Sequence, residues 1–272
     1  MDIDIEELSA ILREAAIAEV LPRFRRLGDR DVRKKSEAID LVTEADEAAE
    51  RMITAQLNRR WPEARVIGEE AASADPAILE GLAEMELAII VDPIDGTANY
   101  AAGIPMFGVM ASVVRRGEII GGIIYDPMGD DWMVAEKGAG AWLVRSDGSS
   151  ERQRAAPAVP MRQMVGLASA FYLPQEHRAH VLKNLAQVRM STILRNAAHS
   201  YRTFAGGHFH YLMFYSLMPW DHAVGALIST EAGGHVARLD GDEYSVARRD
   251  GGILVASNKQ SWDELREKIF NF

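Results

Sequence analysis

Residues 87–97 read Leu87-Ala88-Ile89-Ile90-Val91-Asp92-Pro93-Ile94-Asp95-Gly96-Thr97. The first five residues are apolar, which predicts a buried strand that stops at Asp92. Two carboxylates three residues apart on a tight turn can both face one point, and Mg²⁺ prefers such oxygen ligands. Pro93 fixes φ on this turn, and Gly96 permits a close approach of the backbone. The stretch therefore favours a divalent-metal site over an ordinary Asp-Pro turn.

The same stretch also indicates how an anion could be held beside that metal. Gly96-Thr97 can open a helix, and the N–H groups at a helix start bind phosphate.

The composition limits the class of protein. The chain has 272 residues, 48% of them hydrophobic and 26% charged, which is typical of one large or two small globular domains. Forty Asp and Glu against thirty Lys and Arg give a net charge of −10, so we expect no nucleic-acid polymer as partner. The chain has no cysteine, which excludes disulfides and thiolate metal sites. No apolar run reaches the roughly 20 residues of a membrane helix and the first residues are acidic, so we expect a cytoplasmic protein and no membrane.

The periodicity of apolar residues predicts a mixed α/β chain in two sequential halves that pack as one globular unit, 1–145 and 146–272. In the first half we expect helices at 5–27 and 43–60, a strand at 65–68 followed by a polar loop, a small helix near 76–83, and strands at 87–91, 107–115, 118–125, 132–136 and 141–144. In the second half we expect strands at 165–169, 190–194, 208–214, 235–239 and 252–256 and helices at 175–188, 197–205, 219–232 and 260–270. Polar residues at 145–160 mark the boundary.

Three further acidic motifs each have a structural and a functional interpretation. The pair Glu69-Glu70 is either a solvated loop or the source of one inward-facing metal ligand. Thr43 with Asp46 resembles a capping box, and an acid at this place can also orient a water. Asp221 begins a predicted helix, where its charge could simply complement the helix dipole. The histidines show no zinc spacing, and there is no serine-hydrolase, P-loop or Rossmann motif.

Taken together, these motifs resemble the inositol monophosphatase family, a group of Mg²⁺-dependent, lithium-sensitive phosphatases. The resemblance runs in order along nearly the whole chain and includes Asp40-Leu41-Val42-Thr43-x-x-Asp46, Gly68-Glu69-Glu70, Asp92-Pro93-Ile94-Asp95-Gly96-Thr97, Trp220-Asp221-x-Ala223-x-Gly225 and Glu231-Ala232-Gly233-Gly234. It implies a layered αβαβα sandwich of the inositol monophosphatase and fructose-1,6-bisphosphatase type, usually assembled as a homodimer.

The resemblance also implies a metal centre of two to three Mg²⁺ ions. Glu69, Asp92 and the backbone carbonyl of Ile94 match the ligands of the first ion. Asp92, Asp95 and Asp221 match those of the second. A third, more weakly bound ion would have Glu69 and water as its ligands. The first half of the chain would thus carry most of the metal ligands, and the second half would contribute Asp221.

The catalytic and phosphate-binding residues follow from the same resemblance. Asp46 and Thr97 match the pair that orients and deprotonates the attacking water, with Glu69 beside them. Gly96 and Thr97 supply backbone N–H groups to the phosphate next to Asp95, and Lys35 matches a basic residue near the site.

The substrate side departs from the family pattern at two places. Inositol phosphatases carry Gly-Ser/Thr-Ala-Ala where this chain has Arg195-Asn196-Ala197-Ala198. They also carry a hydroxyl-binding Glu seven residues before the Asp221 position, where this chain has Phe214. Arg195 either meets a second anionic group or is a surface residue. Phe214 either faces a base or an apolar surface of the substrate or belongs to the core.

The predicted function is Mg²⁺-dependent hydrolysis of a small phosphate monoester by a metal-activated water. Inositol 1-phosphate is the nominal substrate, and fructose 1,6-bisphosphate, 3′-phosphoadenosine 5′-phosphate and histidinol phosphate remain open. The alternative is a protein of this fold that acts mainly as a partner of other proteins. Loss of metal ligands would favour that alternative, yet all five carboxylates are present.

Overall fold

Two β-sheets, one of seven strands and one of five, organise this chain. The structure is a computed structural model that describes residues 3–28, 31–34, 41–168 and 170–272. The described helices are α1 (Ile5–Ala15), α2 (Glu44–Arg60), α3 (Glu69–Ala74), α4 (Thr97–Ala101), α5 (Gln175–Asn184), α6 (Ala198–Ala205), α7 (Pro219–Glu231) and α8 (Lys259–Lys268). The described strands are β1 (Val32–Lys34), β2 (Leu41–Thr43), β3 (Arg65–Gly68), β4 (Ala88–Asp95), β5 (Gly108–Arg115), β6 (Glu118–Asp126), β7 (Asp131–Glu136), β8 (Gly140–Arg145), β9 (Ser150–Gln153), β10 (Val165–Ala168), β11 (Met190–Thr192), β12 (Tyr211–Phe214), β13 (His235–Arg238) and β14 (Ile253–Ala256).

The larger sheet has the order β3-β4-β5-β6-β7-β8-β9. Strands β3 and β4 are parallel, and each later neighbour is antiparallel, as short connections allow. The smaller sheet has the order β11-β10-β12-β14-β13 and mixes parallel with antiparallel pairs. Strands β1 and β2 form a separate antiparallel pair.

Five layers result from the way these sheets bury their faces. Helices α1 and α2 cover one face of the larger sheet, and α6 and α7 pack between the two sheets. Helices α5 and α8 cover the outer face of the smaller sheet. Strand β4 is buried on both faces, with Ile89 and Val91 toward α2 and Ala88 and Ile90 toward α7, as the period of two requires. The predicted αβαβα sandwich is confirmed.

Some predicted boundaries were wrong. The helix expected at 5–27 is α-helical only to Ala15 and continues as a π-helix over Ala16–Val20. The polar loop expected after Gly68 is helix α3. Residues within the polar stretch 145–160 form β9, which adds a strand to the larger sheet. Apolar periodicity missed α3 and β9 because both are short and largely polar.

Candidate metal centre

Three aspartates converge where β4 ends and α7 begins. One carboxylate oxygen from each of Asp92, Asp95 and Asp221 lies within 4.8 Å of the others. Asp92 and Asp95 are buried, and Asp221 is half-buried in the first turn of α7. Among the described residues, this is the one group of three metal-ligating side chains that is close enough to share an ion.

A β-bulge brings Asp92 and Asp95 to the same side of the sheet. Strand β4 does not stop at Asp92, as the sequence suggested, but runs to Asp95. Asp92 pairs with Met110 and Asp95 with Gly108, so β4 advances three residues while β5 advances two. Residues three apart on a regular strand point to opposite faces, and the extra residue cancels that alternation. The bulge therefore creates the convergence.

Gly96 turns the chain from this bulge into α4. Its φ of 93° lies in the left-handed region, which glycine adopts without steric cost. A Cβ here would also lie 2.9 Å from Cβ of Asn196 and 3.2 Å from the carbonyl oxygen of Met106. Both conformation and space thus require glycine, and the predicted helix start at Gly96-Thr97 is confirmed.

Asp95 connects the centre to α6. Its Oδ1 accepts the N–H of Ala197 at 2.9 Å, and its Oδ2 accepts the N–H of Ala198 at 2.6 Å. The side chain of Asn196 donates to the carbonyl oxygen of Met106 at 2.9 Å, which fixes the segment before α6 against the Gly96 turn. Ala197, which the sequence placed on the substrate side, therefore contacts the centre through its backbone.

Asp46 and Thr97 meet beside the aspartates. Asp46 forms a capping box with Thr43 at the start of α2, and its Oδ2 accepts the backbone N–H of Thr43 at 2.8 Å. The Thr97 hydroxyl lies 3.0 Å from Asp46 Oδ1 and 3.0 Å from the carbonyl oxygen of Ile94. The capping interpretation and the catalytic placement of Asp46 are thus compatible, because each carboxylate oxygen has its own role.

The carboxylates disturb each other's ionisation. Burial raises the pKa of Asp46 to about 7, and the nearby charge of Glu69 adds to this effect. Burial also raises the pKa of Asp95 to about 7, although the N–H groups of Ala197 and Ala198 oppose it. The pKa of Asp92 lies well above its ordinary value because the carboxylate is buried and faces Glu69, Asp95 and Asp221. Converged carboxylates of this kind fit a hard divalent cation, which would neutralise them.

Glu69 directly follows β3 and lies near the three aspartates. It is the first residue of α3, half-buried, and its charge acts on Asp46, Asp92 and Asp95. Its carboxylate lies outside the set of three that converge within 4.8 Å. Glu69 is therefore near the centre and not in its tightest part.

The predicted substrate residues lie in different surroundings. Arg195 is exposed and has a φ of 59°, which is unusual for a residue with a side chain. Phe214 is half-buried, and its ring centroid lies 5.3 Å from that of Tyr201 and 4.9 Å from that of His222. Lys35 lies outside the described residues.

Sequence reasoning missed Glu50, a buried acid on α2 that contacts the start of α3. A signal was present, because Glu50 follows Asp46 by one helical turn and is flanked by the apolar positions Ala49 and Ile53. An acid in that setting needs a partner, and the sequence alone does not name it.

The fold and the aspartate cluster together define the class of this protein: a layered α/β sandwich with converged carboxylates that could hold a metal ion. The sequence profile of the inositol monophosphatase family matches residues 4–271. This chain therefore belongs to the inositol monophosphatase family, whose members include phosphatases.

Three relatives differ in the names they carry. An inositol-1-monophosphatase of Mesorhizobium japonicum is 32% identical over 224 residues, 81% of this chain and 79% of the relative. A fructose-1,6-bisphosphatase/inositol-1-monophosphatase of Thermotoga maritima is 29% identical and covers 86% of this chain and 84% of its own. A Nus factor SuhB of Vibrio cholerae is 32% identical and covers 85% and 82%. The family is thus shared while the named activity varies.

Solved structures agree with the fold. An IMPase of Thermotoga maritima has a TM-score of 0.81 at 24% identity, covering 98% of this chain and 96% of that chain. Every helix among the described residues is too short or too polar to span a bilayer.

Proposed function

We propose that this chain is a Mg²⁺-dependent phosphatase that hydrolyses a small phosphate monoester. The observation that carries the proposal is the convergence of Asp92, Asp95 and Asp221 within 4.8 Å beside the Thr97–Asp46 pair. We assign Asp92, Asp95 and Asp221 to one ion. Glu69, Asp92 and the carbonyl of Ile94 hold another, and a third, weaker ion involves Glu69. Phosphatase chemistry needs mainly charge neutralisation and positioning, and this site is arranged for both.

The chain's own residues can activate the water. Bound Mg²⁺ supplies positive charge and lowers the pKa of a coordinated water. The Thr97 hydroxyl donates to Asp46, which leaves its lone pair to accept the proton of the attacking water. Asp46 is buried and its Oδ1 is hydrogen-bonded to the Thr97 hydroxyl, so this carboxylate is placed to take up that proton through Thr97. Backbone N–H groups at Gly96 and Thr97 orient the phosphate, and the family resemblance assigns to Lys35 the role of a basic residue near the site.

The substrate carries a phosphate monoester, with inositol 1-phosphate as the nominal example because relatives carry that name. Phe214 disfavours a substrate that is held mainly through its hydroxyl groups, and Arg195 favours one that also carries a second anionic group. Arg195 is exposed and has no ion pair or hydrogen bond to the described part of the chain. Phe214 replaces the hydroxyl-binding Glu and packs against Tyr201 and His222. Fructose 1,6-bisphosphate and 3′-phosphoadenosine 5′-phosphate have such a group, whereas histidinol phosphate does not.

The assembly and location are part of the same proposal. The site draws Asp46, Glu69, Asp92 and Asp95 from the half at 1–145 and Asp221 from the half at 146–272. We propose that the chain forms a homodimer in the cytoplasm, in line with the family resemblance. Sedimentation analysis at micromolar concentration measures the dimer directly, and a monomer there would contradict it.

A phosphate-release screen tests the proposed activity. The panel contains inositol phosphates, sugar bisphosphates, phosphonucleotides and histidinol phosphate, each with Mg²⁺, with EDTA, and with Mg²⁺ plus Li⁺. We expect release from at least one ester with Mg²⁺ and none with EDTA. The proposal fails if no ester is hydrolysed and a pull-down recovers a stoichiometric protein partner, which would favour the alternative of a protein of this fold that acts mainly as a partner of other proteins.

A further inference from the structure

We propose that Glu50 is a positioning residue that fixes Glu69 for metal binding by holding the start of α3. The inference rests on the proposed function, in which Glu69 is a metal ligand. Glu50 contacts neither metal nor substrate in this scheme, and it acts through the backbone that carries Glu69.

The contact joins two elements that are distant in sequence. Glu50 Oε2 accepts the N–H of Glu70 at 2.7 Å, and Oε1 accepts the N–H of Ala71 at 2.8 Å. These N–H groups belong to the first turn of α3, where a helix has no internal acceptors. The N-cap residue Gly68 has no side chain to supply one. Glu50 therefore performs the capping role from α2.

The lack of a side chain on Gly68 leaves the space that the Glu50 carboxylate occupies. A Cβ on Gly68 would lie 2.2 Å from Cδ of Glu50 and 2.4 Å from its Oε2, far inside any permitted contact. The φ of Gly68 is −99°, so the backbone conformation does not require glycine. Its absent side chain is thus explained by the close approach of Glu50.

Glu50 influences the metal centre through the backbone that carries Glu69. Only 7% of Glu50 is exposed, so both oxygens are kept away from solvent and their hydrogen bonds are correspondingly strong. Glu69 lies between the N-cap residue and the two capped residues. Fixing the N–H groups of Glu70 and Ala71 therefore fixes the Cα position and direction from which the Glu69 side chain leaves.

Carboxylates on helix α2 form hydrogen bonds to residues that follow both parallel strands, β3 and β4. Asp46 and Glu50 are one turn apart on α2 and so share a face. Asp46 hydrogen-bonds to Thr97, which follows β4, and Glu50 hydrogen-bonds to residues that follow β3. Since β3 and β4 are parallel neighbours, their carboxyl ends meet at one edge. The two acids on α2 set the positions of the groups at that edge.

The chemistry of the contact makes Glu50→Gln the informative change. Gln keeps the size of the side chain but replaces one acceptor oxygen with an NH₂ group, which would face a backbone N–H. One hydrogen bond is lost, and the backbone N–H and the NH₂ group that faces it are both left without an acceptor at that contact. Short helices such as α3 are marginal without a cap, so the start of α3 should loosen.

Mn²⁺ binding, measured by electron paramagnetic resonance of the free ion, tests the proposal without any substrate. We expect Glu50→Gln to raise the Mn²⁺ dissociation constant about 10-fold or more, the range found when a group that orients a ligand is removed. The matched control is Glu47→Gln, which removes the same charge from α2 at a residue that pairs with Arg33. We expect the control to stay within about twofold of wild type. Equal Mn²⁺ affinity in Glu50→Gln and wild type would overturn the proposal.

Two further measurements distinguish a failure of the proposed function from a failure of the proposed role of Glu50. If wild type itself binds no Mn²⁺, the proposed function fails, whereas unchanged binding in Glu50→Gln refutes only the role of Glu50. If Glu50→Gln does not fold, hydrogen exchange on the metal-free wild type decides. We expect the amides of Glu70 and Ala71 to be protected before metal is added, and fast exchange there that slows only with Mn²⁺ would refute the proposal.

Discussion

The hydroxyl of Thr97 lies 3.0 Å from Oδ1 of Asp46, although 51 residues separate them. Thr97 is held by the β4 bulge and Asp46 by the first turn of α2. The other oxygen of Asp46 is occupied by Thr43. The pair therefore has one oriented hydroxyl and one carboxylate oxygen available for a proton, next to the three converged aspartates.

Replacing Thr97 with valine tests the role of this hydroxyl. Valine has nearly the same shape but cannot accept the proton of the attacking water. We expect kcat of Thr97→Val to fall by about 10²- to 10⁴-fold while Mn²⁺ affinity is kept. Thr97→Ser, which restores a hydroxyl, should recover most of the activity. Wild-type turnover in Thr97→Val would show that the hydroxyl does not take part.

The metal-free protein should lose stability as the pH rises. The pKa values of Asp46 and Asp95 are raised to about 7 by burial, from an ordinary value of 3.8. Between about pH 4 and pH 7, the folded protein therefore binds more protons than the unfolded chain, and the free energy of unfolding falls with rising pH. We expect Tm in EDTA to be about 5 °C lower at pH 8 than at pH 5.5.

Saturating Mg²⁺ should reverse that trend, because the ion replaces the protons that compensate the carboxylates. Scanning calorimetry at both pH values, with EDTA and with Mg²⁺, measures the four Tm values. A higher Tm in EDTA at pH 8 than at pH 5.5 would be at odds with the raised pKa values.

Arg195→Gly should affect substrate affinity and stability in opposite directions. The φ of 59° costs a residue with a side chain about 1 kcal/mol, and glycine relieves it. We expect Tm to be equal or higher. A charge-assisted contact to a second anionic group would be lost, so KM for a bisphosphate should rise about 10-fold while KM for a monophosphate stays the same.

The control for that prediction is Arg195→Lys, which keeps the charge and should keep most of the preference for a bisphosphate. An identical KM increase for both kinds of substrate would mean that Arg195 does not distinguish them.

Gly225 lies one helical turn after Asp221 on α7 and is required by packing. A Cβ there would lie 2.1 Å from Cδ2 of Tyr201 on α6. We expect Gly225→Ala to destabilise the protein by about 1–3 kcal/mol, which thermal unfolding would show as a lower Tm. Gly28→Ala is the control, since among the described residues its Cβ would approach nothing closer than Oδ2 of Asp31, at 3.5 Å. Equal Tm values for the two variants would contradict this explanation of Gly225.

The sequence predicted the parts of this molecule that depend on local pattern. Five apolar residues before Asp92 predicted a buried strand, and β4 confirms the strand although it continues to Asp95. Thr43 with Asp46 indicated a helix start, and α2 begins there. Apolar period and capping chemistry are properties of neighbouring residues, so one chain suffices to detect them.

Features that depend on distant contacts were missed. The sequence suggested that the chain turns at Asp92, but pairing with β5 continues to Asp95 through a bulge. Helix α3 lacks an apolar period and a side-chain cap of its own, and the missing cap comes from Glu50. Neither the partner strand nor the distant acid is visible locally, since both depend on how the chain folds.

The Mg²⁺-dependent turnover of Asp92→Asn, on the best ester of the phosphate-release screen, tests whether the converged aspartates form the catalytic metal centre. Asn keeps the size of Asp92 but removes the charge that the proposed centre shares between two ions. Asp75→Asn, at an exposed residue, serves as the control. We expect a folded Asp92→Asn variant with no measurable phosphate release at any Mg²⁺ concentration and a fully active control. Wild-type turnover of Asp92→Asn at saturating Mg²⁺ would contradict this role of the aspartates.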